Sequence, residues 1–500
     1  MFAATKTGKD IKPLQMPNAV LSLGMVLGLL ADRLWIIGGP TGPGFIIWVA
    51  AVGLAAYWVV CRTNAARPGE VIAWSIVGLA AAFVLLFRTS PIVILAMGLI
   101  MIVVSAMVVM QKNDKSLRET TVADHLISFA RVPAQCIVAT ISILGKVDIG
   151  SSLFNPRFRA VSRGIFLASP LLLVFTLLFA SADAQFNRYA LEVLDIFSPD
   201  TLRHLAIIIV LGWAATGLLA GVSEKHFLVN RKKKTLLNLG TDDTAVFMGL
   251  LVTLFLVFVY LQLGYLFGGR QTIETTFGLT LAEYARRGFF ELLAVAGLTL
   301  ILLITIAETN CNKRVFRPLA AMLVACVMVI LASAGQRMGL YVIEFGLSID
   351  RITALSVMVW LALGLILFVS TVLRGRIKDF AAGLTVSGVI IVFLFALANP
   401  AALVASVNID SAIDNNREVD ILYLLSLGPD AVPTLVDRID SLPSSARCLV
   451  ARNTLEMWYV QHGANNVQLE DWRWWNASRA AAQKAVSKES LKLTEIVSSC

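Results

Sequence analysis

Residues 91–110 read PIVILAMGLIMIVVSAMVVM and contain no charged side chain. At about 1.5 Å per residue, a helix of this length spans about 30 Å, which is the thickness of the hydrocarbon layer of a bilayer. Such a run is typical of a membrane-spanning helix. The whole chain of 500 residues agrees, since 57% of its residues are hydrophobic and only 15% are charged. The sequence therefore predicts an all-α fold, a polytopic transmembrane helical bundle.

Similar runs lie on both sides of this stretch, and together they predict eleven spans in a transmembrane domain over residues 1–399. We place the spans at 18–37, 44–61, 70–87, 91–110, 164–181, 204–222, 245–267, 288–307, 318–334, 353–373 and 379–398. Between them, residues 125–144 are fairly apolar but contain Arg131 and Pro133 near their middle. Both residues disfavour a lipid-facing span, so we expect an amphipathic helix at the membrane surface there, with a crossing as the alternative.

The basic residues predict the orientation of these spans. Residues 400–500 carry a net charge of −3, so the excess of positive charge belongs to the membrane domain. If the N-terminus is cytoplasmic, the cytoplasmic segments hold 24 Lys and Arg and the opposite connections hold 9. Cytoplasmic connections of bacterial membrane proteins are enriched in Lys and Arg. We therefore expect a bacterial inner-membrane protein with its N-terminus inside and its C-terminus outside.

Residues 400–500 differ from the rest of the chain in the length and spacing of their apolar segments. Short segments with helical apolar spacing alternate with Gly428-Pro429 and with Pro443, which predicts four to six short helices. We expect a small extracytoplasmic α-helical domain, which resembles a helical repeat in the stretch Leu427–Leu435. Its two cysteines, Cys448 and Cys500, could form a disulfide in an oxidising compartment.

Several stretches resemble a family of bacterial inner-membrane proteins known as domain of unknown function 4173, which is related to family 4153. They are YARRGFFELLAVA (284–296), SADAQF (181–186), QLGYLFGG (262–269), YVIEFGLSIDR (341–351), LSLGPDAVP (425–433) and DWRWWNASR (471–479). The resemblance implies the membrane class and the helical C-terminal domain. It implies no reaction, ligand or catalytic residue.

Polar residues at the predicted span ends collect on the outer side. The candidates are Asp32, Arg33, Gln262, Arg286, Arg287, Glu291, Arg337 and Glu344, with Arg351 nearby. One hypothesis is an outward-facing polar rim that binds an anionic headgroup, a peptide or a partner helix. The alternative, which we favour, is that these residues are ion pairs and anchors that fix helix ends. Segment 337–351 mixes aromatic and charged residues, so we expect it to lie along the interface.

No sequence motif indicates a metal site, a cofactor or a nucleic-acid partner, and the four histidines share no ligand spacing. The leading interpretation is a non-enzymatic membrane scaffold or sensor that binds a partner or envelope component on its outer face, with membrane lipids as its surroundings. A lipid-linked glycosyltransferase is one alternative, because such enzymes place an acidic residue after the first span, as Asp32 is. A transporter is the other alternative, although the predicted spans carry no charge at their centres.

Overall fold

The computed structural model describes residues 16–36, 39–63, 67–110, 125, 140, 199–223, 241–267, 289–308, 312–415, 419–460 and 471–500. Every regular element in these ranges is a helix. Ten of the helices are long and apolar enough to cross a membrane. The predicted class, a polytopic helical bundle, is therefore confirmed.

The ten long helices match ten of the predicted spans, and the remaining one, 164–181, lies outside the described residues. The helices are α1 (Met16–Leu30, continued by a π-helical turn, Ala31–Ile36), α2 (Pro43–Thr63), α3 (Pro68–Leu85), α4 (Pro91–Met110), α5 (Pro199–Ser223), α6 (Thr241–Phe267), α7 (Phe289–Ala307), α8 (Lys313–Phe345), α9 (Ile349–Leu367, continued by a π-helical turn, Phe368–Val372) and α10 (Ile377–Leu397). Proline stands at or near the start of several of them, where its missing N–H group has no partner to lose.

Helix α8 is much longer than the predicted span 318–334. Its 33 residues extend over about 50 Å. The segment expected to lie along the interface therefore continues α8 up to Phe345. Gly346 ends the helix at a φ of 75°, and a Cβ atom there would stand 2.7 Å from Asn408 Oδ1. Glycine fits this position because it adopts a positive φ without strain and has no Cβ atom to clash with Asn408.

The long helices pack in two groups around separate hydrophobic clusters. Helices α1–α5 share one cluster, and helices α6–α10 share another. Helix α10 also contacts the first group, since Ala396 is buried against α2, α3 and α4. The pair Gly24 and Gly28 lets α1 approach α5 closely, because a Cβ on Gly28 would stand 2.5 Å from Ile208 O.

Residues from Pro400 onward form short helices: α11 (Pro400–Asn415), α12 (Ile421–Ser426), α13 (Val432–Asp437), α14 (Ser444–Leu455, with a π-helical turn, Glu456–Val460), α15 (Ala477–Lys488) and α16 (Ser490–Ser498). We call this part the tail. It has its own hydrophobic cluster, which also takes in Leu347 from the turn between α8 and α9. Asn399, in the left-handed conformation with a φ of 51°, separates α10 from the tail.

Within the segment 125–144, only His125 and Thr140 belong to the described residues. Both are buried. The His125 Nδ1 atom lies 3.0 Å from Thr385 Oγ1 of α10, and Thr140 Oγ1 donates to Trp213 O of α5 over 3.3 Å. These contacts lie along the membrane-spanning parts of α10 and α5. The other residues of this segment lie outside the described residues, so the expected helix at the membrane surface stays a prediction.

The glycine contact between α1 and α5 yields a test of packing. We expect Gly28→Ala to destabilise the protein by about 1–3 kcal/mol, because the new methyl group meets backbone atoms of α5 that cannot rotate away. Thermal unfolding of the detergent-solubilised protein measures the change. Gly98→Ala in α4 is the control, since its Cβ meets nothing within 4 Å among the described residues. Equal unfolding temperatures for the two variants would contradict the packing.

Candidate functional site

The tail is bound to the start of α4 by a buried carboxylate. Asp430 is 3% exposed. Its Oδ2 atom accepts hydrogen bonds from Ser90 N over 2.8 Å and from Thr89 N over 3.0 Å. Ser90 O in turn accepts from Val93 N and Ile94 N in the first turn of α4. Asp430 therefore places negative charge at the positive end of the α4 dipole, where it is stabilising.

A buried amide binds the tail to α2 and α3. Asn476 is 1% exposed, and its Nδ2 atom donates to Thr41 O over 2.9 Å and to Leu85 O over 3.0 Å. Its Oδ1 atom accepts from Ser478 N and Arg479 N, so the same side chain begins α15. One residue thus satisfies carbonyl groups of the membrane helices and amide groups of the tail.

One arginine joins the tail to α1, and a second joins the two groups of long helices. Arg473 donates to Arg33 O over 2.8 Å. It is held in place by Asp471, whose carboxylate accepts from Arg473 Nη2 over 2.6 Å. These hydrogen bonds lower the pKa of Asp471 below its ordinary value. Arg88 donates to Ala396 O and Leu397 O, both over 3.0 Å, and so satisfies carbonyl groups at the end of α10.

Asp32 pairs with a histidine that the sequence analysis missed. Its side chain has no exposure, and His204 Nδ1 lies 2.5 Å from Asp32 Oδ1. The predicted neighbour Arg33 is more distant, with Nε 3.8 Å from Asp32 Oδ2, and is 75% exposed. The Asp32–His204 contact joins the end of α1 to the beginning of α5. A substrate in solution cannot touch Asp32 in this arrangement.

A pocket of about 350 Å³ lies where the tail meets the turn between α8 and α9. We call it the junction pocket. From the long helices it is lined by Glu344, Phe345, Gly346, Leu347, Ser348 and Arg351, and from the tail by Asn408, Ser411, Ala412, Val419, Asp420 and Tyr423. The pocket therefore brings together Glu344 and Arg351, two residues that the sequence predicted for an outer polar rim.

Hydrogen bonds between the tail and the turn hold the junction pocket in shape. Asn408 binds the backbone of Leu347 twice: Oδ1 accepts from Leu347 N over 2.5 Å, and Nδ2 donates to Leu347 O over 2.8 Å. The hydroxyl group of Tyr423 accepts from Ile349 N over 3.0 Å. Arg351 Nη1 donates to Phe345 O over 3.0 Å and to Gly346 O. The Arg351 guanidinium also lies 4.2 Å from the centre of the Tyr341 ring, in a cation–π contact.

The predicted polar residues that the structure describes lie at several places in the bundle, and the rim itself stays a prediction. Asp32 and Arg33 lie at the end of α1, whereas Glu344 lines the junction pocket. Arg337 is buried along α8, and Glu291 is exposed in the first turn of α7. Gln262 belongs to α6, and Arg286 and Arg287 lie outside the described residues. Among the described residues, no group of three His, Cys, Asp or Glu side chains could hold a metal ion.

Two features of the tail have a bearing on its surroundings. Cys448 of α14 and Cys500, after α16, are joined as a disulfide with their Cα atoms 6.2 Å apart. Trp472 and Trp475 are 51% and 48% exposed and do not belong to the hydrophobic cluster of the tail. They lie on either side of Arg473, which is hydrogen-bonded to the end of α1.

The dual role of Asn476 yields a test. We expect Asn476→Asp to lower the unfolding temperature by several degrees, because the carboxylate cannot donate to Thr41 O and Leu85 O. It can still accept from the first amide groups of α15, so the helix start is kept. Thermal unfolding of the purified protein measures the change, with Asp414→Asn on the exposed surface of α11 as the control. An unchanged unfolding temperature would show that the two donated bonds do not hold the tail.

No curated protein and no solved structure matches the chain significantly. One family does match: the profile of the domain of unknown function DUF4153 aligns with residues 73–438. The match includes the junction pocket and Asp430, whereas Asp32 and Asn476 lie beyond its ends. Membership of the related family 4173 remains a prediction. Because the match covers well over half of its 500 residues, the protein belongs to the DUF4153 family.

Proposed function

We propose that this multi-pass membrane protein is a non-enzymatic scaffold or sensor that binds an envelope component at the junction pocket, on the extracytoplasmic side of a bacterial inner membrane. The observation that carries the proposal is that both the tail and the long helices line this pocket. A ligand that fills it touches α8, α9, α11 and α12 together. Its binding energy therefore acts directly on the position of the tail against the membrane helices.

Charge supports an outward-facing tail. The described connections at the end of the bundle opposite the tail are basic, with Arg62, Arg67, Lys313, Arg314, Arg317, Arg374, Arg376 and Lys378. On the side of the tail, the described connections and helix ends contain fewer, namely Arg33, Arg88, Arg203, Arg337 and Arg351. The enrichment of Lys and Arg on the cytoplasmic side favours an N-terminus inside and a tail outside. The Cys448–Cys500 disulfide agrees, since disulfides persist in oxidising compartments.

Burial argues against the glycosyltransferase alternative. A catalytic base or metal ligand at Asp32 would have to reach its substrate, but the carboxylate is closed off from solvent and engaged by His204. The pair is better suited to fixing α1 against α5. Replacing either partner should then weaken folding rather than change a reaction.

Transport is the second candidate, and one observation favours it. His125 is an ionisable residue that is 3% exposed and that contacts Thr385 within the membrane-spanning part of α10. Ionisable groups at such depth often belong to proton or substrate pathways. His125→Gln should abolish transport while the protein stays folded. A folded variant with unaltered solute or proton flux in proteoliposomes would remove this candidate.

The orientation is tested by labelling with a membrane-impermeant maleimide. Asp414→Cys in the tail and Lys378→Cys at the opposite end are each made in a background whose unpaired cysteines are alanine. We expect Asp414→Cys to react in intact spheroplasts, because α11 is outside, and Lys378→Cys to react only after permeabilisation. The reverse pattern would place the tail in the cytoplasm.

Binding at the junction pocket is tested by photo-crosslinking in living cells. A photoreactive amino acid at Ser411, in the pocket lining, should capture a defined adduct, because any occupant lies within reach. The control position is Leu491 of α16, which is 88% exposed and outside the lining. Equal adduct formation at the two positions, or none at Ser411, would contradict a ligand site in the pocket.

A further inference from the structure

Within the proposed binding function, the junction pocket has a chemistry that selects its ligand. It contains one guanidinium group, that of Arg351, and two carboxylates, those of Glu344 and Asp420. Ser348, Ser411 and Tyr423 add hydroxyl groups. A purely anionic ligand would meet two like charges, and a purely cationic ligand would meet the guanidinium. A ligand that carries both signs of charge satisfies both parts of the lining.

The guanidinium of Arg351 is held in one orientation, and only some of its N–H groups are hydrogen-bonded. Its Nη1 atom is bound to the carbonyl groups of Phe345 and Gly346, and the group packs over the Tyr341 ring. Among the described residues, the Nε and Nη2 atoms form no hydrogen bond of their own. Two donors in a fixed fork suit the paired oxygens of a phosphate group.

Only one of the two carboxylate oxygens of Asp420 accepts a hydrogen bond among the described residues. Its Oδ1 atom accepts from Tyr423 N over 3.0 Å and begins α12. The side chain is exposed, and among the described residues Oδ2 has no hydrogen-bond donor. A primary ammonium group has three N–H donors and fits an oxygen of this kind. Glu344 supplies a second carboxylate to the same pocket.

The side chains around the pocket could accommodate the acyl chains of a lipid. The pocket lies at the C-terminal end of α8, which is long and apolar enough to cross a membrane. Ile343 and Phe345, in the last turn of α8, are 61% and 52% exposed, and Phe345 also lines the pocket. Apolar chains of a ligand can therefore run along α8 while its polar part enters the pocket. A volume of about 350 Å³ is enough for a small polar group, since ligand pockets start at about 300 Å³.

We infer that the junction pocket binds the headgroup of a zwitterionic aminophospholipid, with the phosphate on Arg351 and the primary ammonium at Asp420 and Glu344. This inference rests on the proposed function, because it identifies the occupant of the same site. Binding involves no covalent step. The lipid would join the tail to α8 and α9 through its headgroup.

The inference is tested by native mass spectrometry of the purified full-length protein in detergent. Short-chain phosphatidylethanolamine, phosphatidylcholine and phosphatidylglycerol are titrated separately. We expect phosphatidylethanolamine to bind at least about tenfold more tightly than the other two, because only it carries both a phosphate and N–H donors on a cation. Equal binding of all three lipids, or a preference for phosphatidylglycerol, would overturn the inference.

Variants locate the binding in the pocket. Asp420→Asn keeps the acceptor that begins α12 and removes the charge, so the protein should fold and lose about tenfold or more in affinity for phosphatidylethanolamine. Glu344→Gln should act in the same direction. Asp414→Asn, on the same helix as Ser411 but outside the lining, should bind as the unaltered protein does. Unchanged affinity in both Asp420→Asn and Glu344→Gln would overturn the assignment.

Further results distinguish a lipid from a soluble source of the headgroup. They also distinguish the headgroup inference from the proposed scaffold function. If soluble phosphoethanolamine binds as tightly as the short-chain lipid, the headgroup chemistry is supported and a lipid source is overturned. If a protein is captured at Ser411 while no lipid binds, the headgroup inference fails and the proposed scaffold function stands. If Ser411 captures nothing and no lipid binds, both fail.

Discussion

The hydrocarbon layer cannot hydrate a charge or an unpaired backbone group, and this constraint organises the whole protein. It makes every described span a helix and moves most polar side chains to the helix ends. Those ends then carry carbonyl and amide groups without partners in their own helices. In this protein the tail supplies the missing partners. Asp430 meets amide groups at the start of α4, and Asn476 meets carbonyl groups near the ends of α2 and α3.

The tail also connects the two groups of long helices. Through Asp430 and Asn476 it is bound to α2, α3 and α4 of the first group. Through Asn408 and Tyr423 it is bound to the turn between α8 and α9 of the second. Arg88 reaches from the first group to the end of α10 in the second. A movement of one group against the other must therefore deform the tail or break buried hydrogen bonds, which explains why a ligand at the junction pocket would have a mechanical effect.

The sequence predicted the spans well because each depends on its own residues alone. A run of about twenty apolar side chains crosses a membrane whatever surrounds it. The candidate site was predicted only in part, since it depends on contacts between distant segments. His204 lies 172 residues from Asp32, and nothing in the pattern of either segment indicates that they meet. The length of α8 was missed because Arg337 was taken to mark a span end, although the helix has no terminating residue before Gly346.

The contacts of the Asn476 and Asn408 amides were missed for a related reason. An asparagine in a soluble segment is expected at a turn or helix start, and Asn476 does fill that role. Its second role, donation to two carbonyl groups of the membrane helices, has no local signature. Glu344 and Arg351 were selected by their position at a span end, and this single criterion also selected Glu291, which is exposed.

The length of α8 has a consequence for the lipid around it. A rigid rod of about 50 Å exceeds a hydrocarbon layer of about 30 Å, so tilting and protrusion must share the excess. Ile343 and Phe345 are exposed in the last turn of α8, and helix ends are where a mismatch with the bilayer thickness acts. In a thicker bilayer these two side chains contact acyl chains, and in a thinner bilayer they are exposed to water. The local thickness of the bilayer therefore sets how far this end of the rod emerges into the headgroup layer.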